Sequence, residues 1–208
     1  MYMTEITLQN DVQAAPSVAA IRAALDRRSV VLVGMMGVGK SSIGRRLAAR
    51  LGIPFVDADT EIEKAAGMSI PDIFARHGEP DFRGGEARVI ARLLDDGPQV
   101  LATGGGAFMN EATRAAVKTK GVSIWLSAEF DVLVRRIAKR KNDRPMLQTA
   151  DPPETLRQLL ALRNPVYALA DLTIHSREVP HDAIVAEIVA ALASFLNVSA
   201  LPQGKDGA

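Results

Sequence analysis

The sequence predicts an α/β fold in which a parallel sheet carries helices on both faces. Three observations lead there. Short runs rich in β-branched residues alternate with stretches of helical spacing, the first of these runs passes directly into a glycine-rich turn that opens a helix, and neither an internal repeat nor a domain linker interrupts the 208 residues. With 48% of the residues apolar, the chain can fill one sizeable core.

Taken in order, "SVAAIRAALDRR" from Ser17 to Arg28 has helical spacing and follows about sixteen residues with little pattern, so residues 1–28 are expected to form an extension, partly disordered, ahead of the domain. Val30–Val33 reads as a strand buried on both faces. Ile43, Leu47 and Leu51 then recur at helical spacing up to Gly52, and Ile53–Val56 reads as a second strand. "TEIEKAAG", "SIPDIFARHG" and "DFRGGEARVIARLLDD" are three helical patterns separated by glycines, with Ser69 and Asp72 spaced as a capping box. Gln99–Ala102 is the expected third strand, Asn110 caps a helix running to Lys118, and Val122–Leu126 is the fourth strand. Ser127 is placed to cap "AEFDVLVRRIAKR", and the polar, proline-punctuated "KNDRPMLQTADPP" that follows is expected to be a mobile loop, a lid at about 140–152. A helix from Glu154 to about Leu169 leads to a fifth strand at Leu172–Ile174. Ile184, Ile188, Leu192 and Phe195 then form one stripe of a last helix. The domain is thus expected over 29–196, with a tail at 197–208.

Composition narrows the function. Lys plus Arg exceed Asp plus Glu by one charge, so no global field draws the chain to nucleic acid or to an anionic membrane. No apolar run reaches the ~18 residues of a membrane span. The chain has no cysteine, which excludes disulfides and thiolate metal sites and agrees with a cytoplasmic location.

The chemistry concentrates in a few motifs at the expected carboxyl edge of the sheet. Gly34-Met-Met-Gly37-Val38-Gly39-Lys40-Ser41 matches a phosphate-binding loop in full and lies between a strand and a helix, as its mechanism requires. Inward-turned backbone N–H groups and the helix N-terminus hold phosphate oxygens, Lys40 can reach β and γ phosphates, and the Ser41 hydroxyl can ligate Mg2+. Asp57 and Asp59 follow the second strand. Taken alone, Asp59 would merely cap a helix starting at Thr60, whereas beside a phosphate loop one carboxylate can support the metal and the other can accept a proton from a substrate hydroxyl. Arg83 and Glu86 share a helix face, a surface ion pair being the bland alternative. Arg163 in "RNPVY" carries the same ambiguity, while Arg135, Arg136, Lys139, Arg140 and Lys141 read as a solvated helix face. Arg144 lies in the lid, where a guanidinium could close over the phosphates. Three glycines in "VLATGGGA" after the third strand call for a close approach to the backbone there, with a plain tight turn as the alternative.

With "GMMGVGKSSIGRRLA", "FVDADTEIE", "SIPDIFARHGEPDFRGGE", "VLATGGGA", "NDRPML" and "RNPVY" in this order from about Ser29 to Phe195, the chain resembles the shikimate kinases. That resemblance implies a three-layer P-loop NTPase fold with a five-stranded parallel sheet in order 2-3-1-4-5. It also implies transfer of the γ-phosphoryl group of ATP, with Mg2+, to the 3-hydroxyl of shikimate in the pathway to chorismate. On matching positions, Gly37, Val38, Gly39, Lys40, Ser41 and Ser42 would surround the ATP phosphates, with Ser41 on the metal and Asp57 supporting it through water. Asp59 would meet the substrate hydroxyls as the base, Arg83 and Arg163 would hold the carboxylate, Gly105 would contact substrate through its backbone, and Arg144 would be the lid arginine near ATP. The space beside the glycines would then belong to the reacting atoms. The expected partners are shikimate and ATP, without nucleic acid or membrane, and the chain is expected to act as a monomer. Gly84 and Gly85 depart from the family pattern, which often has bulkier or charged residues there. The competing readings are a kinase for another polyol acid such as gluconate, against which the paired arginines and the glycine triplet weigh, and a non-catalytic nucleotide-binding protein, against which Asp59, Arg83, Arg144 and Arg163 together weigh.

Overall fold

The computed structural model describes residues 17–138 and 150–198. Arg144 and most of the expected lid lie outside the described residues, as do residues 1–16 and 199–208. Ser29–Val33 (β1), Phe55–Asp57 (β2), Val100–Ala102 (β3), Gly121–Ser127 (β4) and Leu172–His175 (β5) form a parallel sheet in the order β2-β3-β1-β4-β5. The central strand β1 is buried at all its positions, as a β-branched run enclosed by two neighbours and two helical layers must be. At the edge, β5 alternates buried Ile174 with exposed Thr173 and His175.

Val18–Leu25 (α1), Lys40–Leu51 (α2), Ala58–Ala66 (α3), Ile70–Leu93 (α4), Glu111–Lys120 (α5), Phe130–Ala138 (α6), Pro152–Tyr167 (α7) and His181–Phe195 (α8) cover the sheet. Right-handed crossovers send α2 to one face and the helices returning from β2 and β3 to the other. The packing agrees: α2 lies against α1 and α8, and α4 lies against α5. The loops after β1 and β3 therefore leave adjacent strands toward opposite faces, and the crevice between them at the carboxyl edge is where ligands enter such sheets. Among the described residues no helix is long and apolar enough to cross a membrane.

Several local expectations are refined. The two helical patterns on either side of Gly78 are joined end to end in α4, with Gly78 at φ 77°, ψ 172° forming the kink and Pro80 opening the second segment. Ser69 caps the first segment, its Oγ accepting from the Asp72 N–H at 3.3 Å, and Asn110 caps α5 through the N–H groups of Ala112 and Thr113. Ser127 is not a cap: it ends β4, its hydroxyl pairs with His175 Nδ1 at 2.7 Å, and α6 starts later, at Phe130. The second strand starts at Phe55 and not at Ile53, because the Ile53 N–H still bonds the Ala48 carbonyl while closing off α2. On α8 the inward stripe is Ile184, Ile188 and Leu192 with Val185 and Val189. Phe195, expected on it, is 41% exposed at the last position of the helix.

Candidate active site

The loop after β1 takes its shape from backbone conformations that side chains resist. Gly37 and Gly39 have φ of 83° and 105°, in the left-handed region that glycine enters without steric cost. Gly39 precedes α2 without a side-chain cap, so the first N–H groups of the helix face outward, the arrangement that binds phosphate oxygens. Lys40 Nζ folds back over the loop and donates to the carbonyls of Gly34 at 2.7 Å and Met35 at 3.1 Å. Ser42 follows Ser41 in the first turn of α2. Ser41 Oγ donates to Asp57 Oδ2 at 2.7 Å, bringing a hydroxyl and a carboxylate, both hard oxygen donors, to one point beside the loop. That pair suits Mg2+, which is held by one or two protein oxygens together with phosphate oxygens. Among the described residues no group of three or more His, Cys, Asp or Glu could cage a metal alone.

Val38, near the tip of the loop, has a buried side chain and an engaged carbonyl: Ser176 Oγ donates to it at 2.9 Å and Arg136 Nη1 at 3.1 Å. Arg136 also donates to Ser176 Oγ at 2.8 Å and to the Arg177 carbonyl at 2.9 Å. The reading of Arg136 as part of a solvated face is therefore corrected. It ties α6, the phosphate loop and the segment after β5 together, whereas Arg135 does stay at the surface, 3.1 Å from Glu178.

Asp57 caps α3, its Oδ1 accepting from the Asp59 N–H at 3.2 Å. The alternative of Asp59 as the cap is thereby excluded, and the Asp59 side chain turns to the crevice instead. Burial, reinforced by the charge of Asp57, pushes its carboxyl above the usual carboxylate range, against the pull of Lys40 and Arg83. Arg83, on the second segment of α4, donates through Nη1 to Glu86 Oε2 at 2.7 Å and through Nη2 to Glu79 Oε1 at 3.0 Å, and its guanidinium lies 5.0 Å from the centre of the Phe82 ring. Only Glu79 behaves as a surface partner. Glu86 is 1% exposed, its Oε1 has no hydrogen-bond partner among the described residues, and burial raises its pKa despite Arg83. A buried acceptor left open in this way suits a hydroxyl or water brought in with a ligand. Arg163, on α7, is also buried, with Nη1 donating to the Gly105 carbonyl at 3.3 Å.

The three glycines tie these groups together. A Cβ on Gly104 would stand 2.8 Å from both Asp59 Oδ1 and Glu86 Oε1, one on Gly105 would be 3.7 Å from Arg163 Nη1, and one on Gly106 would be 2.5 Å from Arg83 Nη2. The close approach expected from the sequence is real: the protein's own acid and guanidinium groups crowd Gly104 and Gly106, while the atom nearest a Cβ on Gly105 would be the Met36 backbone N of the phosphate loop at 3.3 Å, with Arg163 in ordinary contact. The turn thus presents its bare backbone to four charged side chains from three helices.

The structure therefore brings Lys40, Ser41, Asp57, Asp59, Arg83, Gly105 and Arg163 to one sheet edge. Arg144 lies outside the described residues. Sequence reasoning gave no site role to Glu86, Tyr167 or Arg136. For Glu86 the available signal was its place three residues after Arg83, and for Tyr167 its place one turn after Arg163.

Comparison with known proteins agrees with this geometry. A family model described as Shikimate kinase matches residues 36–193. A shikimate kinase of Bradyrhizobium diazoefficiens is 66% identical over 185 residues, covering 89% of this chain and 88% of that protein, and one of Rhodopseudomonas palustris is 62% identical over 182 residues, covering 88% and 89%. Among solved structures, a shikimate kinase from Acinetobacter baumannii in complex with shikimate superposes with a TM-score of 0.78 at 36% identity, covering 84% of this chain and 97% of that one.

Proposed function

The chain belongs to the shikimate kinase family, and on that premise we propose a division of labour among the residues gathered at the sheet edge. The activity is transfer of the γ-phosphoryl group of ATP, with Mg2+, to the 3-hydroxyl of shikimate, giving shikimate 3-phosphate and ADP in the pathway to chorismate and aromatic amino acids.

Phosphoryl transfer asks the protein mainly to align the hydroxyl with the γ-phosphorus and to steady charge on the equatorial oxygens. Gly37, Val38, Gly39, Lys40, Ser41 and Ser42 hold the phosphates, the lysine swinging from the Gly34 and Met35 carbonyls onto the β and γ oxygens. Ser41 and Asp57 would hold Mg2+, which when bound offsets charge between the β and γ phosphates. Arg83 and Arg163 grip the shikimate carboxylate, and Gly105 meets the substrate through its backbone. Asp59 takes the 3-hydroxyl proton as the new O–P bond forms and the bond to the β-phosphate oxygen breaks. Its raised pKa makes it a better proton acceptor than an ordinary aspartate. Arg144 is assigned to the γ-phosphoryl charge by resemblance. The observation that carries the reading is the placement of two guanidinium groups against consecutive glycines, Gly105 and Gly106, with Asp59 at the preceding one.

The finer expectations belong to the same reading. The chain acts as a monomer in the cytoplasm, without nucleic acid or membrane, in keeping with its near-neutral charge and lack of cysteine. Measuring ADP release with shikimate, gluconate, nucleoside monophosphates or no acceptor tests the proposal. Turnover confined to shikimate is expected, and turnover with gluconate at a comparable kcat/KM would overturn it.

A further inference from the structure

The Val38 carbonyl, near the tip of the phosphate loop, accepts two hydrogen bonds from parts of the chain far from the loop. Ser176 Oγ donates to it at 2.9 Å and Arg136 Nη1 at 3.1 Å, and Arg136 Nη1 also donates to Ser176 Oγ at 2.8 Å, so the two donors brace each other. A carbonyl oxygen has two lone pairs, and these donors engage both. Each donor is also fixed by groups outside the loop. The Ser176 N–H bonds the Ser127 carbonyl at 2.7 Å, prolonging the pairing of β4 with β5 by one residue, and Arg136 Nη2 donates to the Arg177 carbonyl at 2.9 Å. A trans peptide is planar, with its C=O and N–H on opposite sides. Anchoring the Val38 oxygen therefore turns the Gly39 N–H away from Arg136 and Ser176, and among the described residues that N–H donates to no backbone carbonyl.

We propose that Arg136 and Ser176 are positioning residues for ATP: by anchoring the Val38 carbonyl from behind the loop, they aim the Gly39 N–H at the phosphate oxygens. The inference rests on the assignment of the loop to the ATP phosphates. Gly39 stands at φ 105°, ψ 15°, and the freedom that lets a glycine adopt this conformation also lets it leave. Without the anchor the peptide between Val38 and Gly39 rotates, and a donor that samples other directions has to be ordered again whenever nucleotide binds. The fold does not depend on either bond alone. In Ser176→Ala the Val38 oxygen keeps Arg136, and in Arg136→Met it keeps Ser176, so neither variant strands that acceptor. The bond from Arg136 to the Arg177 carbonyl is exposed, and water replaces it.

The test is calorimetric binding of ADP and of inorganic tripolyphosphate, which carries neither base nor ribose, to the wild type, Ser176→Ala, Arg136→Met, the double variant and Lys40→Met, with KM for shikimate and Tm measured alongside. Each single variant should weaken both ligands about threefold and the double variant roughly tenfold, by the same factor for ADP as for tripolyphosphate. KM for shikimate and the Tm of the single variants should not change. If ADP weakens and tripolyphosphate does not, the two residues act on the nucleoside and the proposal is overturned. If Lys40→Met loses both ligands while the double variant keeps wild-type affinity for them, the positioning role is overturned and the phosphate assignment stands. If the wild type does not bind tripolyphosphate, or Lys40→Met binds it equally well, the phosphate assignment itself fails and takes this inference with it. A fall in the Tm of the single variants together with an equal loss of shikimate binding would assign the network to the fold and overturn the proposal.

Discussion

Asp59 Oδ1 and Glu86 Oε1 converge on a single point, each 2.8 Å from where a Cβ on Gly104 would stand. They come from α3 and α4, and only a glycine at the end of β3 lets both reach the crevice. The φ of Gly104 is not positive, so an alanine there is strained by contacts and not by backbone conformation. Gly104→Ala should therefore fold with a near-normal Tm while displacing both carboxylates. A misplacement near 1 Å costs about 100-fold in rate, and kcat/KM should fall by roughly that factor. Circular dichroism melts beside initial rates check this, and an active alanine variant would show that the two carboxylates do not need this spot.

Asp59→Asn should keep ADP binding and lose most turnover. It should also alter two pH dependences. Turnover needs the ionised carboxylate, so the wild-type rate falls as pH drops through a pKa raised above 3.8, and the residual activity of the variant should lack that acid limb. Stability runs the other way. Between the unfolded and the raised folded pKa the native state holds a proton that the unfolded state has released, so stability is highest on the acid side and declines as pH climbs through that window. The asparagine variant escapes this cost. It should melt above the wild type at pH 8, with the difference shrinking below pH 4, as paired melts would show.

Arg83→Lys should raise the KM for shikimate about tenfold with a smaller change in kcat. The arginine reaches Glu86 and Glu79 through different nitrogens while lying against Phe82, and an ammonium cannot reproduce that fork. An unchanged KM with a collapsed kcat would move Arg83 from substrate binding to the chemical step.

Ser41→Ala removes the hydroxyl that pairs with Asp57 at 2.7 Å. The Mg2+ concentration giving half-maximal rate should rise roughly 10–100-fold, while binding of metal-free ADP stays the same. Titrating activity against Mg2+ and measuring ADP affinity in a chelator separate the two, and a weakened metal-free affinity would place Ser41 on the phosphates alone.

The parts of this architecture that depend on consecutive residues could be read from the chain. The phosphate loop is one, because its glycines, lysine and serine must follow one another to wrap an anion, and the strand–helix alternation is another. Residues whose roles depend on distant partners could not. Tyr167 needs Gly105, 62 positions away, and Arg136 needs Val38, 98 positions away, to be more than a buried aromatic and a surface charge. Glu86 looked like half of a surface pair because burial is set by the docking of α4 against the glycine turn, which no local pattern encodes. Ser127 failed as a cap for the same reason, since its hydroxyl is claimed by His175 on the neighbouring strand. The glycine triplet was recognised as a close approach, yet the occupant of the space became clear only when the side chains from α3, α4 and α7 were in place.

A crystal structure of the complex with ADP, Mg2+ and shikimate tests the shared crevice most directly. The shikimate carboxylate should lie within hydrogen-bond distance of both Arg83 and Arg163, its 3-hydroxyl on Asp59 and facing the phosphate loop at Lys40. Shikimate bound with its carboxylate away from both arginines, or with its 3-hydroxyl out of reach of Asp59, would contradict the account.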